Sequence, residues 1–167
     1  FNKDCKLVDY DVSQIDKKFE DEAKKLLPSN NYVGFSITQG NVYRKKEWTI
    51  ENFIELAKRI QKINKTPVFF IEKNNIELAN KIKEKIPNVL IPEFETNING
   101  PAFVSALASR LEKAISIDNG IMHMIGLANI PMILLFGPTD SEKFAPKQKN
   151  IKILDTKKMY NTDNILK

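Results

Sequence analysis

Asp118, Asn119 and Gly120 stand between a short apolar run, residues 115–117, and a stretch whose apolar residues continue at helical spacing. A carboxylate, an amide and a glycine at a strand-to-helix turn are the ingredients of an anion site. The first turn of a helix leaves backbone N–H groups without intrahelical partners, and a glycine lets an oxyanion come close to the backbone. His123, the single histidine of the chain, lies one turn further on and is placed to donate a hydrogen bond to the same anion. Each of these residues also has a local explanation. Asp118 serves as a helix cap, Gly120 allows close packing, and a lone histidine on an apolar helix sits in a core. A second source of charge is the polar loop 38–47, TQGNVYRKKE, with Arg44, Lys45 and Lys46.

The elements that must position these groups alternate in type. Residues 15–27 carry apolar positions at helical spacing and end at Pro28, and residues 32–37 read as a first buried strand. After the cationic loop, Ile50, Phe53, Ile54, Ala57, Ile60 and Ile63 mark one face of a helix, with Thr49 as its N-cap and Trp48 against Phe53 as a hydrophobic staple. Residues 66–71 form a second strand. Asn74 followed by Glu77 reads as a capping box for a helix, residues 88–91 as a third strand, and Pro101 as the first position of a further helix that turns Phe103, Leu107 and Leu111 inward.

Residues 113–117 then return as a strand, and residues 120–128 make a helix apolar nearly all round, with Met122 and Met124 in the core. Residues 132–136 are another strand, Thr139 and Glu142 another capping box, and residues 151–154 an edge strand. Strands alternating with helices predict an α/β fold, a parallel sheet covered by helices on both faces. In such a sheet ligands lie beyond the carboxyl ends of the strands, so the loop 38–47 and the Asp118 turn face one crevice.

Composition narrows the class. The chain has 167 residues, 42% of them apolar, enough for the core of one domain. Its net charge of +5 is interspersed and no basic stretch alternates with aromatics, which argues against nucleic acid as a partner. Lys, Asn and Ile are abundant in the manner of a genome-wide compositional bias. The single cysteine, Cys5, excludes an internal disulfide and cannot build a zinc site, which fits a reducing, cytoplasmic setting. No window has the length of a membrane span, and the first residue is Phe1, so the chain reads as a piece of a longer protein.

The tract Asp118-Asn119-Gly120-Ile121-Met122-His123, then Ala128-Asn129-Ile130-Pro131, then Leu135-Phe136-Gly137-Pro138-Thr139-Asp140, resembles the D-[ST]-G-x-x-H…A…P…FGPT signature of glycosyltransferase family 9, the lipopolysaccharide heptosyltransferase family. Phe144-Ala145-Pro146 fits as well, and Lys46-Glu47-Trp48 matches the family's lysine two residues before tryptophan. The resemblance runs from Val33 to about Ile153 and departs at Asn119, where Thr or Ser is usual.

It implies a Rossmann-like sheet, the C-terminal, donor-binding half of a glycosyltransferase-B fold. Residues 1–30 are then a linker and entry helix from an N-terminal half, 31–155 the nucleotide-sugar-binding domain and 156–167 a tail. It further implies Lys46 at the departing diphosphate, Asp118, Asn119, Gly120 and His123 along the diphosphate and sugar, and Glu77 near the ribose. The catalytic base is expected in the N-terminal half. No cofactor or metal is implied. The donor would be ADP-heptose or a related nucleotide sugar, and the acceptor lipopolysaccharide core or another glycan. The whole protein would touch the inner face of the inner membrane peripherally. The competing reading is a non-catalytic nucleotide-binding or regulatory module. A classical dehydrogenase is a poorer fit, since G-x-G-x-x-G is missing after the first strand.

Overall fold

The computed structural model describes residues 11–38 and 48–155. Lys46, Arg44, Lys45 and Cys5 therefore lie outside the described residues, as does the expected tail 156–167. A 3-10 turn, Val12–Gln14, precedes helix α1, Lys17–Leu26, strand β1, Tyr32–Ser36, helix α2, Ile50–Lys62, and strand β2, Thr66–Phe70. Helix α3, Ile76–Lys85, a 3-10 turn at Pro92–Phe94, helix α4, Pro101–Ala108, and strand β3, Lys113–Ile117, follow. Helix α5, Gly120–Gly126, strand β4, Met132–Phe136, helix α6, Ser141–Phe144, and strand β5, Ile151–Asp155, complete the order.

All strand pairs are parallel and the sheet order is β2-β1-β3-β4-β5. Alternation along the strands divides the core in two. Val33, Phe35, Phe69, Ile71, Ile115 and Ile117 face α2 and α3, and Phe35 stacks on Phe69 with ring centroids 4.7 Å apart. Tyr32, Val68, Phe70, Ala114, Leu134 and Phe136 face α1, α4 and α5. Both faces of each inner strand are buried, which is why these strands read as continuous apolar runs. Gly34 is at the tightest point of the second layer, where an added Cβ would stand 2.5 Å from Leu111 Cδ1 and 3.2 Å from Phe70 Cε2.

Helix α1 is part of this second layer. Ala23 and Leu27 are buried there with Phe103, and the Arg110 guanidinium donates to the carbonyl oxygens of Leu27, Pro28 and Ser29 at 3.1, 3.3 and 3.2 Å. Helix α2 is set as its sequence predicts. The Thr49 side chain accepts from Asn52 N–H at 3.4 Å, and Trp48 meets Phe53 edge-on with centroids 4.6 Å apart.

Several local expectations are corrected. Residues 88–91 do not form a strand, because Asn88 takes a left-handed φ of 56° and only Leu90 bridges to Val68. The N-cap of α3 is Asn75 and its side chain makes no capping hydrogen bond, so Asn74 and Glu77 do not form a capping box. Asp140, not Thr139, caps α6, accepting from Glu142 N–H at 2.9 Å. Ile63 falls beyond the end of α2 and is 62% exposed. Asparagine also has a conformational task here. Asn64, Asn88 and Asn129 all have positive φ just after helices α2, α3 and α5, the backbone region that asparagine tolerates better than most residues.

Candidate nucleotide-binding cleft

The sheet order reverses between β1 and β3, and there the connections leave in opposite directions and open a crevice. A cleft of about 580 Å³ occupies that point. Thr38 comes from the loop after β1, and Glu72, Asn74 and Asn75 from the loop after β2. Asn119, Gly120, Ile121 and Met124 come from the turn after β3 and from α5.

Asn119 holds the mouth of this cleft together. Its amide Nδ2 donates to Ser36 Oγ at 2.8 Å and to the Thr38 carbonyl oxygen at 2.9 Å. Its Oδ1 accepts from Met122 N–H at 2.8 Å and from Ser36 Oγ at 3.2 Å. Every donor and acceptor of the side-chain amide is thus engaged. A Ser or Thr here would still cap α5 but has no second donor for the Thr38 carbonyl. The substitution that sets this chain apart from the motif therefore adds a link between the loops after β1 and β3.

The cap of α5 is Asn119 and not Asp118, which is half-buried in the turn just after β3. With Met122 N–H taken, the remaining first-turn amides of α5 are those of Gly120 and Ile121, two residues that line the cleft. Packing does not demand glycine at position 120. A Cβ built there meets nothing within 4 Å and the backbone is not left-handed, so close packing is removed as its explanation.

The remaining expected residues separate. His123 is on the exposed face of α5 and is not a core residue. Helix α5 is shorter than expected and not buried all round. Met122, Ile125 and Gly126 face inward, Gly120, His123 and Leu127 are exposed, and Met124 lines the cleft while Met122 alone of the pair is core. Glu77 is exposed in the first turn of α3 and is not among the cleft residues, whereas Glu72 is. Ser36, Asn74 and Asn75 were not singled out by sequence as site residues, and Glu72 only as the alternative to Glu77 for the ribose. Their one sequence signal was position, at the carboxyl ends of the first two strands. Among the described residues no cluster of three or more His, Cys, Asp or Glu could hold a metal ion, and no helix is long and apolar enough to cross a membrane.

Comparison with known proteins extends this picture. The model of glycosyltransferase family 9 (heptosyltransferase) matches residues 4–165. A search of curated proteins gave no match. Among solved structures, a family 9 glycosyltransferase from Veillonella parvula is 18% identical, with a TM-score of 0.74 over 90% of this chain and 47% of its own. The ADP-heptose lps heptosyltransferase II of E. coli is 19% identical, with a TM-score of 0.67 over 84% of this chain and 44% of its own. The E. coli heptosyltransferase WaaC with ADP is 18% identical, with a TM-score of 0.65 over 80% of this chain and 42% of its own. The chain thus spans less than half the length of these structures, and its parallel sheet with helices on both faces matches a Rossmann-like half of a glycosyltransferase-B fold. By the family match over nearly its whole length, the chain belongs to glycosyltransferase family 9, the heptosyltransferase family.

Proposed function

We propose that this chain is the C-terminal, donor-binding half of an inverting glycosyltransferase that takes heptose from an ADP-sugar and transfers it to lipopolysaccharide core. The observation that carries the reading is the cleft at the reversal point of the sheet, edged by Thr38, Asn119 and the unpaired first-turn amides of α5. Such amides favour phosphate oxygens. Gly120, free of any packing constraint, allows a diphosphate to approach the backbone there.

In the complete enzyme a carboxylate outside this chain takes the proton of an acceptor hydroxyl. The hydroxyl oxygen attacks the anomeric carbon, the bond from that carbon to the diphosphate oxygen breaks with inversion, and the nucleoside diphosphate leaves with the electron pair. Negative charge therefore grows on the diphosphate, and Lys46 is the group we assign to meet it, with the α5 amides, Asp118 and His123 along the diphosphate and sugar. Asn119 acts by positioning the two loops. For the ribose, Glu77 is the residue the family pattern points to, and Glu72, which lines the cleft, is its competitor.

Calorimetric titration with ADP, UDP and GDP tests the reading. ADP should bind selectively; Lys46→Ala should weaken it by about tenfold, the size of one lost charge-assisted contact, Gly120→Ala should weaken it by crowding the phosphate at the α5 amides, and Asp118→Ala by loosening the turn that presents them. Affinity unchanged in all three variants would place the nucleotide elsewhere.

A further inference from the structure

Two Asn-Gly pairs occur in the chain, Asn99-Gly100 and Asn119-Gly120. An asparagine followed by glycine carries its own reaction. The glycine has no Cβ to shield its backbone nitrogen, which can close on the side-chain carbonyl carbon of the asparagine. The new C–N bond completes a five-membered succinimide, and the side-chain amide nitrogen leaves as ammonia, taking the proton given up by the glycine N–H. Water then opens the ring at one carbonyl or the other. The product is aspartate, or its isomer with the main chain routed through the side chain. No oxidant, metal or second protein is needed, since amide and water become carboxylate and ammonium.

The fold treats the two pairs in opposite ways. Asn119 is locked. Its Nδ2, the nitrogen that would leave, donates to Ser36 Oγ and to the Thr38 carbonyl oxygen, and its Oδ1 accepts from Met122 N–H. The side chain can turn toward its own Gly120 nitrogen only by giving up the cap of α5 and the link between the loops. Asn99 stands exposed between the 3-10 turn at Pro92–Phe94 and α4. Among the described residues no hydrogen bond holds its side-chain amide or the Gly100 N–H. Gly100 is exposed as well, takes a φ of 104°, and a Cβ built on it meets nothing within 4 Å. Glycine is therefore required there by its backbone conformation and not by packing, and the pair is open to water.

The product would alter a wall that is already acidic. Asn99 lines a cavity of about 330 Å³ that adjoins the cleft and shares Glu72, Ile121 and Met124 with it. Glu72 and Glu93 stand in the same wall, and burial pushes the Glu93 carboxyl up to about 7. The new carboxylate also arises beside the first turn of α4, where Gly100 offers no side-chain cap and negative charge is favoured, so the fold can keep the product.

We propose that Asn99-Gly100 is a self-modifying site, where Asn99 of the folded protein converts spontaneously to aspartate and isoaspartate while Asn119 is preserved by its hydrogen bonds. Nothing in this chemistry depends on what the cleft binds.

Incubation of the full chain in mildly alkaline buffer, which favours loss of the glycine proton, tests this when samples taken over time are digested with trypsin and sequenced by tandem mass spectrometry. Cleavage at Lys85 and Arg110 isolates Asn99, and cleavage at Lys113 and Lys143 isolates Asn119. In the folded chain Asn99 should convert at least about tenfold faster than Asn119, whose approach forfeits both cap and loop link. In guanidinium chloride strong enough to unfold the chain, the two should convert at similar rates, which ties the difference to the fold. Asn99→Gln, which would have to close a less favoured six-membered ring, should leave its peptide unchanged in mass. An Asn99 that stays intact in the folded chain while converting in guanidinium chloride overturns the proposal, and so does equal conversion of Asn99 and Asn119 in the folded chain.

Discussion

Asn119 combines in one side chain two tasks that a Ser or Thr at this position would split. It caps α5 through Met122 N–H, and it ties down the loop after β1 through Ser36 and the Thr38 carbonyl. Asn119→Thr should therefore keep the cap and lose the link, while Asn119→Ala loses both. We expect Asn119→Ala to destabilise the fold by about 2 kcal/mol, the sum of a cap and a part-buried hydrogen bond, and Asn119→Thr by about half of that. Urea unfolding measures both. Equal losses in the two variants would show that the Thr38 link adds nothing to stability.

Helix and strand signals survive to the extent that their causes are local. Thr49, Trp48 and Phe53 lie within a few residues of one another, so cap and staple were legible before the structure. The same holds for Pro101 at the start of α4, where Gly100 takes a φ of 104°. Residues 88–91 have strand composition but sit between Pro87 and Pro92 with Asn88 in a left-handed turn, and the short segment reaches its neighbour only through Leu90. The candidate cleft was legible where it coincides with a turn, at Asn119 and Gly120, while Asp118 is not among its lining residues. Asn74 and Asn75 were not legible, because only the parallel stacking of strands brings the end of β2 beside those of β1 and β3. Gly34 is the matching case inside the core. Gly34→Ala forces Leu111 and Phe70 apart in a filled layer and should lower stability by about 1–2 kcal/mol in thermal or urea unfolding. A neutral result would mean that Leu111 turns aside freely.

At the scale of the whole molecule, Glu93 makes folding a proton-linked reaction. Its carboxyl has an ordinary value of 4.5 and a folded value of about 7, so the native state binds a proton that the unfolded chain has released between those values. The carboxyl sets no penalty below about pH 4.5. Stability then falls as pH rises toward about 7 and levels off above it, by about 3 kcal/mol in total. Glu93→Gln removes the dependence. It should match the parent near about pH 4.5 and exceed it near about pH 8 in urea unfolding. A stability gap independent of pH would show that the carboxyl stays ionised in the fold.

The strand order has a further consequence, for the chain as it leaves the ribosome. Gly34 of β1 pairs with Val68 on one side and with Ala114 on the other. The partner on the first side is synthesised soon after β1, and the partner on the second only when most of the sheet's sequence has emerged. During that interval β1, buried along its whole length in the finished molecule, presents an apolar edge of unpaired N–H and C=O groups. Translation that stops between β2 and β3 therefore leaves a nascent chain whose open edge is a ready template for pairing with other chains.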